Sequence, residues 1–398
     1  MRKFYVFVFF VVFGSGFIHS QSQIIRAIID SVNIDSLMFR VEEISGERGV
    51  FILGEEDTIY SRNRNRPGNE ICFRYIREKL YSYGLQVDSG SFGMTGGKNI
   101  WGVLPGYVYF NEPVILCAHY DGMPNQAIAP AADDDGSGVA ALLEAARVIT
   151  QGGYQFEHPI IFAFWDEEEY GLAGSTNYAQ LANAANDTIH GVINMDAIAH
   201  DSDNDSVARV HTRPTGNSEI IADTVVAVNM DYAIGLDLLV NNPGATYSDH
   251  ASFWNNGYGA VLMIQDWDND ANPHYHTVTD KIDYFNVPYF HKMARLSIAS
   301  AAAFAVPYAI GTAGVDEENE STRVILYPNP ASETVNLKWW GEFERITISN
   351  LLGSVIYSNI LLPGTNSTTV ELGNFDTGIY FVELSGPKRS HTIKMVIR

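Results

Sequence analysis

The chain has 398 residues, 46% hydrophobic and 18% charged, a balance that excludes a disordered chain and supplies material for two or three domains. Its 47 acidic against 25 basic side chains give a formal charge of −22, which excludes phosphate-backbone binding as a main activity, since that needs clustered Lys and Arg. Most of this charge reads as solvated surface. In chain order, Arg2 and Lys3 precede an unbroken apolar run, Phe4 to Phe13, and Ser20 offers a cleavage point before Gln21. That pattern predicts a signal peptide over residues 1–20 and an exported mature protein. The run is shorter than the roughly 20 residues a membrane span needs, and no later stretch is long and apolar enough, so no span is expected in the mature chain.

Residues 21–60 read as mixed helix and loop, and Arg62, Arg64 and Arg66 before Pro67-Gly68 as a basic surface turn. Ile71, Tyr75, Ile76, Leu80 and Tyr83 recur at helical spacing, predicting a helix over 69–83 that Gly84 stops. Strand-like runs follow at 85–91, 99–104 and 113–118, then a helix over 137–149. Continuous apolar runs at 159–165, 191–195 and 259–264 read as strands covered on both faces, with helical patterns at 216–229 and 286–306. The alternation predicts an α/β domain: a mostly parallel mixed sheet flanked by helices. From residue 324 only short β-like runs separated by turns occur, which predicts a small all-β sandwich. The expected boundaries are therefore 21–308, a linker 309–323 carrying Asp316-Glu317-Glu318, and 324–398. Of the two cysteines, Cys117 lies in an apolar strand and Cys72 in a helical pattern, so a disulfide framework is not expected.

The predicted strands end in chemically similar ways. One ends on His119, followed by Asp121; the next on Asp166 to Glu169; the next on Asp196. The strand at 259–264 leads through a loop to Tyr275-His276-Thr277-Val278-Thr279-Asp280. The triplet Asp133-Asp134-Asp135 stands just before the helix that opens at Gly136-Ser137-Gly138. Alone, each piece has a bland reading as a solvated turn. Together they place imidazoles and carboxylates at the carboxyl ends of several strands, where ligands gather in open α/β sheets, and that donor mixture suits a zinc-type cation. The alternating carboxylates of Asp201 to Ser206 lack the sixth-position glycine and closing glutamate of a calcium loop, so a solvated loop is expected there and calcium binding at 201–206 or 266–270 stays open.

The motifs His119-Tyr120-Asp121, Asp133-Asp134-Asp135-Gly136-Ser137-Gly138, Glu168-Glu169-Tyr170-Gly171-Leu172, Asn194-Met195-Asp196, Ser248-Asp249-His250 and His276-Thr277-Val278-Thr279-Asp280 resemble the M28-type zinc aminopeptidases over residues 60–306. The resemblance implies a zinc-exopeptidase-like fold, also described as phosphorylase-like, and two Zn²⁺ ions per chain. It implies that His119 and Asp196 bind one ion, Glu169 and His276 the other, and Asp134 both. It also implies Glu168 as general base, Asp121 as the residue orienting His119, Asp249 as a supporting residue, and Tyr275 as a donor to the oxyanion. Substrates would be peptides with a free N-terminus. Pro130-Ala131-Ala132, where the family often has Pro-Gly-Ala, and Ala197, where methionine often follows the aspartate, depart from it without removing a ligand, and a slip of one residue in Asp166–Glu169 would exchange base and ligand. A glutaminyl-cyclase-like acyltransferase with a single zinc on the same fold is the alternative, and a metal-free binding module a third reading. Residues 324–398, through Tyr327-Pro328-Asn329-Pro330, Phe375-Asp376-Thr377-Gly378 and the terminal Thr392 to Arg398, resemble the type A sorting domain of the type IX secretion system. This resemblance implies a partner in that machinery and a secreted or cell-surface location.

Overall fold

The computed structural model describes residues 21–94, 96–308 and, within 324–397, all but 328, 333, 340, 341, 351–353, 363 and 387–389. The expected signal peptide and the linker 309–323 lie outside the described residues. The chain divides into two units, residues 1–311 and 312–398.

In the first unit, helices α1 (21–31) and α2 (Ile34–Ile44) precede a short hairpin of β1 (Val50–Ile52) and β2 (Glu55–Asp57). Asn33 caps α2 by accepting from Ser36 N, and α3 (Pro67–Ser82) starts on a proline whose missing N–H costs nothing in the first turn. Eight strands then form one sheet: β3 (Gln86–Phe92), β4 (Gly97–Leu104), β5 (Val114–His119), β6 (Ile160–Trp165), β7 (Gly191–Met195), β8 (Val207–His211), β9 (Asp237–Asn241) and β10 (Ala260–Gln265). Their spatial order is β3-β4-β6-β5-β7-β10-β8-β9. The inner four, β6-β5-β7-β10, are mutually parallel, while β3, β4 and the β10–β8 pair are antiparallel. The sheet is thus mixed and mostly parallel, as expected.

Alternation explains why the inner strands are apolar throughout. Val114, Leu116 and Ala118 of β5, with Ile160, Phe162 and Phe164 of β6, face one core that also takes α2, α3, α4 (Gly136–Gln151), α6 (Ser218–Asp231) and α8 (Val287–Phe304). Ile115 and Cys117, with Ile161, Ala163 and Trp165, face a second core built with α5 (Ala173–Ala185) and α7 (His250–Asn255). Register sets the strand ends level: His119 pairs with Trp165, and Cys117 with Asn194. Asp196, the first residue past β7, therefore emerges beside His119, while Asp166, the first past β6, accepts from Asn69 and Lys98 N. Cys72 and Cys117 are both free and buried.

The second unit has one antiparallel sheet of β11 (Val324–Tyr327), β12 (Thr334–Trp339) and β15 (Ser367–Glu371), and another of β14 (Val355–Ile360), β13 (Arg345–Asn350), β16 (Gly378–Ser385) and β17 (Ser390–Ile397). Val335, Leu337, Trp339, Ile346, Ile348, Val382, Leu384 and Met395 from both sheets share one core, the mark of a sandwich.

Candidate metal centre

The centre is built where the inner parallel strands end. His119 is the last residue of β5 and is almost fully buried. The loop leaving it returns at the Asp triplet, and Arg62 holds the two limbs together. Its guanidinium, buried to 1% exposure, donates to the carbonyl oxygens of Tyr120 (2.9 Å), Pro130 (2.9 Å), Ala131 (2.7 Å) and Ile44 (2.9 Å). The surface turn expected around Arg62 is thus wrong for that residue: a guanidinium can be buried when its N–H donors all meet carbonyls. Arg64 also turns inward, pairing with Glu167 at 3.1 Å and lying over the Tyr170 ring.

Within the triplet, the three carboxylates do different work. Asp135 caps α4 by accepting from Gly138 N (3.0 Å), and also accepts from His119 N (3.2 Å) and Ala197 N (3.2 Å). Asp133 accepts from Ala199 N (3.0 Å) and from Asn272 Nδ2 (2.9 Å). Asp280 receives the backbone N–H groups of Asp133 and Asp134, each at 3.1 Å to its nearer oxygen. The Asp134 side chain is left facing two imidazoles, with Oδ1 3.2 Å from His119 Nε2 and Oδ2 3.2 Å from His276 Nε2. Neither Asp280 nor Arg62 could be given a role from sequence. The signal for Asp280 was its place at the end of the histidine motif; Arg62 had none.

Glu168 and Glu169 lie on a single 3-10 turn, Glu168–Tyr170, after β6. Asp121 accepts both of their backbone N–H groups, at 3.0 and 3.3 Å, while its Oδ1 lies 3.4 Å from His119 Nδ1. Glu169 Oε2 stands 2.7 Å from His276 Nε2; Glu168 Oε2 and Asp196 Oδ1 stand 3.9 and 3.7 Å from His119 Nε2. Two groups emerge, His119–Glu168–Asp196 and Asp134–Glu169–His276, each with ligand-capable atoms within 4.8 Å of one another. The half-exposed Tyr275 stacks on His276 (centroids 3.7 Å) and meets Trp267 edge-on. Asp249 is fully buried with neither carboxylate oxygen hydrogen-bonded.

Several residues here hold the left-handed backbone that side chains disfavour: Glu167 (φ 58°), Leu172 (58°), Ala197 (52°) and His276 (57°). Such strain persists where surrounding structure imposes it, as at functional sites. The electrostatics are equally uneven. Burial pushes Glu169 up to about 8, with the Asp134 charge adding to it. Burial also raises Glu168, helped by Asp196, Asp249 and Glu169 and opposed by His119. Burial disfavours the His276 cation, yet the Asp134 and Glu169 carboxylates beside it carry its pKa to about 10. Burial works against the Asp134 anion too, but the two histidines hold it well below the usual carboxylate range.

The donors fit a metal. His119 Nε2, Asp134 Oδ2, Glu169 Oε1 and His276 Nε2 are buried without a hydrogen-bond partner. Buried polar atoms are rarely left so, and imidazole nitrogens with carboxylate oxygens are the donors zinc takes. Nearby, Asp201, Asp203 and Asp270 also approach one another, but Asp270 is engaged by Ser202 N and Oγ, both at 2.5 Å, and Asp201 by Asn286.

A family model described as Peptidase family M28 matches residues 99–301, just over half of the 398, and one described as Secretion system C-terminal sorting domain matches 325–398. Leucine aminopeptidase 1 of Neurospora crassa is 26% identical over 256 residues, 61% of this chain and 63% of that protein. Leucine aminopeptidase 1 of Chaetomium globosum is 26% identical over 261 residues, 60% of this chain and 62% of that protein. The chain thus spans less than two thirds of the length of these relatives. Among solved structures, Legionella pneumophila LapA aminopeptidase matches with a TM-score of 0.61 at 22% identity, over 71% of this chain and 75% of that one. A Bacteroides thetaiotaomicron glutaminyl cyclase bound to N-acetylhistamine matches at 0.54 and 20% identity, over 68% and 98%.

Proposed function

The chain belongs to peptidase family M28, and from that premise we propose that it is an exported aminopeptidase working with two zinc ions on peptides that have a free N-terminus. The observation that carries the reading is Asp134, whose two oxygens face two different histidines at 3.2 Å each, a placement suited to a carboxylate shared by two cations. In this reading His119 and Asp196 hold one ion, Glu169 and His276 the other, and Asp134 both. Zinc bound there supplies Lewis-acid polarisation of the scissile carbonyl and lowers the pKa of a water.

The side chains do the rest. Glu168 is buried beside His119 with its proton affinity raised, so it accepts the proton of the attacking water and returns it to the leaving amine. Asp121 fixes His119 and the backbone of both glutamates, so ligand and base keep their spacing. Tyr275, stacked on His276, would donate its hydroxyl to the developing oxyanion. Residues 1–20 direct export as a cleaved signal, 21–308 form the peptidase domain, 309–323 link it to 324–398, and that module is read by the type IX secretion machinery, giving a secreted or cell-surface enzyme. The curated relatives named as leucine aminopeptidases support the substrate class.

The test is turnover of leucyl-p-nitroanilide. Full chelation should abolish it and added zinc restore it; turnover that survives complete metal removal would sink the reading. A glutaminyl-cyclase-like acyltransferase with one zinc is the second reading, favoured by the fold shared with the Bacteroides enzyme. Cyclisation of N-terminal glutaminyl peptides without nitroanilide hydrolysis would select it.

A further inference from the structure

At the opposite end of the same strands, three side chains converge that the proposed chemistry does not use. Glu112 stands just before β5, His158 just before β6 and His190 just before β7. These strands are adjacent and parallel, so their entrances lie side by side. One ligand-capable atom of each residue lies within 4.8 Å of the others. His158 is buried, and the other two are half-buried.

The donor set and its support both point to an ion. His158 Nδ1 lies 2.8 Å from the backbone oxygen of Glu112. A carbonyl only accepts, so Nδ1 carries the proton and Nε2 keeps a free lone pair. A backbone carbonyl behind an imidazole is the usual support of a metal-binding histidine. Two imidazoles and one carboxylate are three of the four ligands zinc takes, whereas calcium and magnesium favour oxygen alone.

We propose that Glu112, His158 and His190 form a separate site for zinc or a similar first-row divalent cation, tying together the entrances of three of the four inner strands, β5, β6 and β7. The His158 and His190 rings now lie face to face, with centroids 3.8 Å apart and planes 15° apart. Sharing an ion requires the His190 ring to turn out of that stack, and among the described residues no hydrogen bond holds it. Otherwise the two rings are simply the middle of a pile running from Tyr109 to Phe304, which needs no metal.

The experiment uses the full chain, stripped with a chelator, dialysed against micromolar zinc and assayed for metal per chain by elemental analysis. Wild type should hold one more zinc per chain than either His190→Gln or Glu112→Gln. Zinc should also raise the melting temperature of wild type more than that of either variant. Glu112→Gln keeps the backbone carbonyl and the ring stack, so it reports on the ion even if the histidine variant folds poorly. Neither residue belongs to the centre at the other end of the sheet, so the difference in zinc content does not depend on the peptidase reading. Equal zinc content in wild type and both variants overturns the proposal.

Discussion

At the residue scale, the three consecutive aspartates are chemically identical and structurally unlike. Asp135 is committed to three backbone N–H groups, so Asp135→Asn leaves only one good acceptor and should lower stability by about 1–2 kcal/mol, read from urea unfolding. Asp134→Asn should remove metal binding and leucyl-nitroanilide turnover together, and it should also lower the stability of the metal-free protein, because it takes away the anion that faces both histidines. Equal loss of turnover at both positions, with metal retained, would refute the assignment of the shared ligand. Glu168→Gln separates base from ligand: kcat should fall by roughly 10²–10⁴ while zinc content stays at the wild-type level. If that variant loses its zinc instead, the two neighbouring glutamates exchange roles.

At the element scale, the loop from Tyr120 to Asp135 owes its shape to a side chain from a distant segment. Arg62→Met keeps the length and apolar stem but strips four carbonyl oxygens of their donor. An unmet buried polar group costs about 1–3 kcal/mol, so the variant should unfold at markedly lower urea and bind zinc more weakly. Wild-type values for both would show that the loop is held otherwise. This residue also marks where sequence reading stopped. The inner strands were legible because each is apolar along its whole length, and the side chains now gathered at the candidate centre because they sit at strand ends. Strand β8 was missed because Arg209 interrupts its apolar pattern, yet that arginine is paired with Asp266 and Asp268. β9 was missed because it is largely exposed and alternates poorly, and the surface reading of Arg62 failed because nothing local distinguishes it from Arg64 and Arg66. Long-range partners, not propensity, decide such cases.

At the scale of the whole molecule, the centre gathers carboxylates that burial would rather keep protonated. Glu169 has a folded pKa of about 8, against an unfolded value near 4.3. The metal-free folded state therefore holds a proton through that window which the unfolded chain has already released. By linkage, this group's contribution to stability is full below pH 4 and is lost as pH rises through 8. Metal binding takes the deprotonated form, so zinc affinity should rise over the same range. The gap in melting temperature between zinc-loaded and chelated protein should accordingly widen from pH 5 to pH 8. A gap that narrows would contradict this picture.

The donors at the proposed centre come from five separate stretches, lying between His119 and His276 and brought together by the register of the inner strands and by the loops that Arg62 and Asp280 hold. No fragment of the chain holds a usable set, and neither does a chain whose strands are still unpaired. In the proposed reading, the ability to cut peptides would therefore be acquired at folding rather than at synthesis. A polypeptide still extended during the proposed export would then carry no proteolytic hazard for the compartment that made it.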